Sequence, residues 1–337
     1  MSVPFVKYEA LTIGASSRHT NLIKRRSLPR SSFCSKAAGG FDFDRILPRR
    51  PSQNVVAVWP GQPELARAPL VLMAHYDTQK TSWLFHPGVA TRLPLVFGVA
   101  YAALAASVAA LLGRALALDA AWPGPVGAAS AAVLLVFAAL LLWGGVRGAY
   151  VPGANDNGSG VALALALAER WRAEPPSPRP LWVVLTGAEE VGERGAKAFL
   201  RRHAARLDRR AALVVNLDNL GGGQLRYLTG EGLLRYCAYD AHLVSAARVL
   251  AMHRAPERVG PWRNLVLPTD ALPLAAAGFR VITFVAIGRG GAIPDYHRPT
   301  DTLERVDRHL LAFEEEFLWD YLRVVVRPPK SEAFAAR

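Results

Sequence analysis

Apolar residues follow three distinct patterns along the chain, and each predicts a different kind of element. The first is a set of short runs rich in Val and Leu at 54–59, 70–74, 181–185, 212–217, 225–228 and 281–286. Several are apolar throughout, as expected of strands covered on both faces. The second pattern, between these runs, predicts helices over 160–172, 193–207, 233–253 and 303–325. Strands alternating with helices imply an α/β fold, a three-layer α/β/α sandwich around a mostly parallel mixed sheet. No internal repeat interrupts it.

The third pattern is confined to 89–147. Residues 93–113 form an uncharged run of 21, LPLVFGVAYAALAASVAALLG, and 120–146 form a second uncharged run. At a rise of about 1.5 Å per residue, each is long enough for a hydrocarbon core of about 30 Å. A pair of buried core helices is the competing reading, favoured by the many alanines. Two adjacent uncharged runs of this length are rare in a soluble core, so a transmembrane hairpin is expected. Ala102, Ala106 and Ala110 recur every fourth residue, as do Gly127 and Ala131. Such stripes let helix backbones approach closely in lipid. The expected organisation is therefore a basic, mostly irregular arm over 1–52 and an α/β domain over 53–88 and 148–327. The hairpin is inserted at 89–147, and a tail follows at 328–337.

Charge changes this picture only at one end. The 337 residues are 51% hydrophobic and 20% charged, which excludes a disordered or low-complexity chain. Lys and Arg number 40 against 27 Asp and Glu, a net +13. Residues 1–50 hold ten of the cations and three of the anions, so +7 of the excess lies in the arm. That average would suggest nucleic acid, but the arm has no motif or aromatic support for it; contact with an anionic membrane surface fits better. Arg25-Arg26 lacks a following apolar region, and no conventional signal peptide starts at Met1. Cys34 and Cys237 are the two cysteines, too few for a disulfide framework or a cysteine metal cluster.

Candidate chemistry lies in five short segments. MAHYDT follows the strand at 70–74 and carries His75 and Asp77, which share a face if extended. PGANDNGSG leads into the helix at 160 and carries Asp156. TGAEEVG follows the strand at 181–185 with the paired acids Glu189 and Glu190. NLDN closes the strand at 212–217 with Asp218, and PDYHRPTD carries His297. Each has a bland alternative: a solvated turn, a helix cap, or first-turn acids drawn to a helix dipole. Their combination is more telling, because His75, Glu189/Glu190 and Asp218 all fall at strand carboxyl ends, where open α/β sheets bind ligands. Two His, two Asp and one Glu suit a pair of divalent ions, zinc first, with cobalt or manganese as substitutes.

These segments, in this order, resemble the M28 family of zinc aminopeptidases, over roughly residues 54–325. The resemblance implies that Asp156 bridges two Zn2+ ions, with His75 and Asp218 completing one site and Glu190 and His297 the other. It implies Glu189 as general base and Asp77 as the group that orients His75. Two ions so held polarise a scissile carbonyl and acidify a bound water. Two departures stand out. The lead-in before the first strand looks irregular and basic, and Thr269-Asp270-Ala271 stands where family members often carry Ser-Asp-His near the substrate pocket.

The implied substrates are peptides with a free N-terminus, and the hairpin adds the lipid bilayer as a partner. Few residues separate Asp77 and Asp156 from the apolar runs, so the site lies within roughly 35 Å of the membrane boundary, its mouth facing the bilayer. Lys80, Arg92 and Arg147 flank the hairpin on the domain side, while Arg114 is offset by Asp119 at its far turn. The positive-inside rule then puts the catalytic domain on the cytoplasmic face. A glutaminyl-cyclase-like enzyme with a single zinc and a non-catalytic peptide-binding protein are the competing expectations. The sequence leaves the oligomeric state open.

Overall fold

The computed structural model describes residues 5–12, 50–116, 121–232 and 235–327. Nine strands among the described residues form one sheet: β1 (Phe5–Thr12), β2 (Pro51–Trp59), β3 (Leu70–His75), β4 (Leu181–Thr186), β5 (Leu213–Leu217), β6 (Gln224–Glu231), β7 (Cys237–Ala238), β8 (Gly260–Asn264) and β9 (Arg280–Ile287). Their order is β1-β2-β4-β3-β5-β9-β6-β7, with β8 also paired to β6. The centre, β4-β3-β5-β9, is parallel. The flanks β1-β2, β2-β4, β6-β9 and β6-β7 are antiparallel. The sheet is thus mixed with a parallel core, as the alternating pattern predicts.

Helices cover both faces. They are α1 (Pro87–Ala90), α2 (Leu93–Ala115), α3 (Pro123–Arg147), α4 (Gly160–Ala173), α5 (Arg194–His203), α6 (Ala241–Arg254), α7 (Ala271–Ala276) and α8 (Arg308–Val325). Strand β3 shows why both faces are needed. Its Leu70, Leu72 and Ala74 join a core with α4, α6 and α8, while Val71 and Met73 join a second core with α5 and α7. Every residue of β3 is buried. Each large apolar side chain so buried contributes about 1.5–3 kcal/mol. The central strands run parallel, so their carboxyl ends gather at one edge of the sheet, and the five chemical segments leave from that edge.

The hairpin is inserted between β3 and α4, and α2 packs along α3. Only 11% and 6% of the apolar windows of the two helices are buried, so they are not buried core helices of the described residues. Leu95, Leu111, Leu135 and Leu142 are each about two-thirds exposed. Both helices are long and apolar enough to cross a membrane. The expected packing stripe is shifted. Ala102 and Ala131 are exposed, whereas Ala103, Ala110, Gly113, Ser130 and Gly144 are buried. Ser107 Oγ donates to Ser130 Oγ at 2.8 Å between the two helices. A Cβ on Gly127 would stand 3.4 Å from that of Ala110, so small residues set the approach.

Four sequence expectations need correction. The arm over 1–52 is not wholly irregular: β1 pairs with residues 51–58 of β2, which starts at Pro51. An edge strand offers unpaired backbone groups, and the short alternation Val6-Lys7-Tyr8-Glu9-Ala10 is enough to use them. The helix expected over 233–253 starts at Ala241, where the Asp240 side chain accepts from Leu243 N. Just before it, Cys237–Ala238 pairs with Gly230 and Glu231 instead. The helix expected from 303 begins at Arg308 after a single 3-10 turn, capped by Asp307. Strands β1, β7 and β8 and helix α7 were not anticipated. The rest of the arm, Asp119 and the tail at 328–337 lie outside the described residues.

Candidate metal centre

The five expected ligands converge. His75 closes β3, and Asp218 follows β5. Asp156 stands in the loop before α4, Glu190 follows β4, and His297 lies in the loop between β9 and α8. His75 Nε2 is 3.2 Å from Asp156 Oδ1 and 3.6 Å from Asp218 Oδ1. His297 Nε2 is 2.9 Å from Asp156 Oδ2 and 3.1 Å from Glu190 Oε1. Asp156 therefore turns one oxygen toward each histidine. The donor atoms of His75, Asp156 and Asp218 all lie within 4.8 Å of one another, as do those of Asp156, Glu190 and His297.

Three of these atoms test whether metal fits. Asp156 Oδ2, Glu190 Oε1 and His297 Nε2 are buried and make no aligned hydrogen bond, although they lie about 3 Å apart. Buried polar atoms left so are costly unless something else satisfies them. Ligands about 2 Å from a tetrahedral zinc ion stand about 3.3 Å from one another, and the contacts here bracket that value. Imidazole and carboxylate donors suit zinc. The residues fit two divalent ions that share Asp156.

Burial and mutual charge oppose one another at the histidines and at Asp156, and charge prevails there. Burial alone would lower the His75 imidazole, but Glu189, Asp156 and Asp218 outweigh it and raise it well above its ordinary value. His297 is likewise lowered by burial and raised by Asp156 and Glu190, reaching about 9. Burial pushes Asp156 up, yet its contacts with His297 and His75 prevail and hold it below the usual carboxylate range. Glu189 and Glu190 are both raised, chiefly by burial.

Neighbouring residues hold the ligands in place. Asp301 accepts from Asn155 N at 2.7 Å and from Asp156 N at 3.0 Å. Asn219 Nδ2 donates to Asp156 Oδ1 and to Asp218 Oδ1. Asn157 Nδ2 donates to Leu217 O, so the loop is tied to the end of β5. Asp301 and Asn219 both lie within the chemical segments, but sequence gave no reason to single them out. His297, Asn219 and Ala188 all have φ between 52° and 59°, backbone that non-glycine residues adopt at a cost.

Asp77 takes a different place from the one expected. Its carboxylate accepts from Glu189 N at 3.1 Å and Glu190 N at 3.3 Å, and lies 3.8 Å from His75 Nδ1. The backbone carbonyl of Asp77, at 3.1 Å, is what meets that nitrogen. Asp77 thus fixes the turn that presents the acid pair. Helix α5 starts only at Arg194, so Glu189 and Glu190 are not first-turn acids of a helix.

One cavity of about 190 Å³ takes in His75, Asp156, Glu189, Glu190 and Asp218. Its other walls are mixed: Leu93 and Pro94 of α2, Val266, Leu267 and Ile293 are apolar, and Arg263 and Asn264 are polar. Thr269 also lines it, and next to Thr269 the buried Asp270 accepts from Thr186 Oγ1. Burial raises Asp270 to about 7.

A parallel-centred α/β/α sandwich with two candidate metal-ligand triads at its strand ends is the architecture to compare with known proteins. The family model of peptidase family M28 matches residues 54–321, and the chain belongs to that family. It is 25% identical over 173 residues to aminopeptidase YwaD of Bacillus subtilis, spanning 48% of this chain and 35% of that protein. The structure of a zinc aminopeptidase from Bacillus subtilis superposes with a TM-score of 0.53 at 17% identity, covering 83% of this chain and 52% of that one. Porphyromonas gingivalis glutaminyl cyclase superposes with a TM-score of 0.56 at 16% identity, covering 96% and 85%. The chain therefore spans about a third to a half of these aminopeptidases and most of the cyclase.

Proposed function

We propose that the chain is a membrane-anchored di-zinc aminopeptidase that removes N-terminal residues from peptides. The observation that carries this is Asp156, whose two oxygens serve two complete triads, one with His75 and Asp218 and one with Glu190 and His297. When bound, zinc, or cobalt or manganese in its place, supplies Lewis acidity toward a carbonyl and acidifies a water. The rest is work for the chain's own residues. Glu189, raised by burial, takes the proton of the attacking water on a side-chain oxygen and hands it to the leaving amine. Asp77 holds the Glu189 and Glu190 amides in register for this. The apolar walls exclude bulk water from around the scissile bond.

Glutaminyl cyclisation is the second reading, favoured by the high shared coverage with the Porphyromonas gingivalis enzyme. Against it stands the intact His75 and Asp218 pair, which a single-zinc enzyme does not need. The purified protein should hold two zinc ions and release free N-terminal residues from an aminoacyl panel. Glu189→Gln should lower kcat by about 10²–10⁴ with zinc content unchanged. A glutaminyl peptide that loses ammonia without releasing an amino acid, with one ion bound, would instead establish the cyclase.

The hairpin supplies the anchor, with Leu93 and Pro94 at the cavity wall bringing the mouth toward the bilayer. Lys80, which donates to Gly145 O, and Arg147 mark the domain-side end. They favour a cytoplasmic catalytic domain. Single cysteines introduced near Arg147 should resist a membrane-impermeant thiol reagent in intact cells and react after lysis. The reverse result would invert the orientation.

A further inference from the structure

Metal-binding histidines ordinarily fix their ring by donating the second ring nitrogen to a carbonyl or carboxylate. His75 does so through the Asp77 carbonyl. His297 does not: its Nδ1 is buried and has no hydrogen-bond partner among the described residues. What contacts its ring is aromatic. Tyr296 stacks on it at 3.8 Å between centroids, and Phe85 meets it edge-on at 4.2 Å.

Phe85 comes from the short turn Trp83–Phe85 at the foot of the hairpin, and it is buried. Trp83 in that turn packs edge-on against Phe137 of α3, and Phe137 packs against Phe97 of α2. These rings belong to one apolar cluster that ends at Tyr296. The Trp83–Phe85 turn thus joins two sets of ring contacts, one reaching into the hairpin and the other reaching His297. Edge-to-face ring pairs are directional, which lets a chain of them set an orientation as well as fill space.

We infer that Phe85 is a positioning residue for His297, and that the hairpin, through Trp83 and Phe137, is a structural part of the Glu190/His297 half of the metal centre. This rests on the reading of the site as a pair of zinc sites. The hairpin then does more than tether the enzyme: helix packing in the bilayer sets how well one of the two ions is held.

The test uses full-length protein in detergent or lipid nanodiscs, with zinc affinity measured by chelator competition and cobalt substitution followed by visible absorption. Phe85→Leu keeps apolar volume but removes the ring. It should weaken one ion about tenfold, the loss usual for a group supporting a metal ligand, and leave the other unchanged. The visible spectrum of the weaker cobalt site should shift. Phe85→Tyr, which keeps the ring, should restore most of the affinity, and Phe137→Ala should reproduce the loss in weaker form. Equal weakening of both ions, or no change in either, would overturn the proposal while leaving the di-zinc reading standing. A wild-type protein that takes up no zinc or cobalt would overturn both.

Discussion

His75 ends a fully buried central strand and has its second ring nitrogen bonded to a backbone carbonyl, whereas His297 sits in a loop at a φ of 52° with aromatic rings against its faces. Both are buried and both turn Nε2 toward Asp156. The first half of the centre is therefore specified by the sheet: once β3 and β5 pair in register, His75 and Asp218 arrive together. The second half depends on segments distant in sequence, namely the turn after β4, the loop after β9 and the foot of an inserted hairpin. The fold thus keeps one candidate ligand triad as a property of its core and builds the other from loops and the segment grafted beside them.

The strongest way to break this comparison is to remove what the halves share. Asp156→Asn keeps an oxygen to accept from Asn219 Nδ2 but loses the charge and one donor. We expect both zinc ions to be lost at micromolar free metal and hydrolysis to fall to background, with the melting transition still cooperative. Elemental analysis after gel filtration reads the stoichiometry directly. One ion retained at full affinity would show that the two halves are independent, and that Asp156 does not bridge them. Next in size is the selective loss expected for Phe85→Leu, which separates the halves that Asp156 joins.

How much of this was legible in the sequence follows the same divide. Strands β3, β4 and β5 and the residues at their ends were readable because buried parallel strands are continuous apolar runs ending in polar loops. Strand β8, Gly260–Asn264, carries a Pro and two polar residues, and it is a strand because β6 offers it a parallel partner. Helix α7 is six residues with a Pro inside, too short to show a period. Asp77 meets His75 through its carbonyl, and a spacing of two says nothing about which acceptor, side chain or carbonyl, reaches the ring. Phe85 carried no signal at all, since an aromatic pair before an apolar helix has meaning only once the hairpin folds back onto the loop at 296–297. The hairpin itself was plain from composition, but its packing face was not. Of the expected stripe, Ala110 and Gly127 meet at the interface, beside the bond between Ser107 and Ser130, whereas Ala102 and Ala131 are exposed.

A change in stability, not in metal affinity, tests whether a hydrogen-bonded support behaves differently from an aromatic one. Glu231 is fully buried at the end of β6 and accepts from Thr269 N at 3.2 Å and Asn264 Nδ2 at 3.3 Å, both on residues of the cavity wall. Asn264 Nδ2 also donates to Leu267 O, so this carboxyl holds the wall that reaches the hairpin cluster. Burial raises Glu231 to about 7, against the lowering by those bonds. The unfolded carboxyl titrates near 4.5, so between 4.5 and 7 the folded chain binds more proton than the unfolded one. Stability must then fall as pH rises through that window and level off above it, by about 3 kcal/mol for this group. Gln cannot ionise. Glu231→Gln should therefore gain about that much on wild type between pH 4.5 and pH 8, measured by denaturant unfolding of both proteins at each pH so that shared metal loss cancels. A constant difference across the range would mean that the wall pays no ionisation penalty. Its hydrogen bonds would then hold the carboxylate as firmly charged as the sheet holds His75 in place.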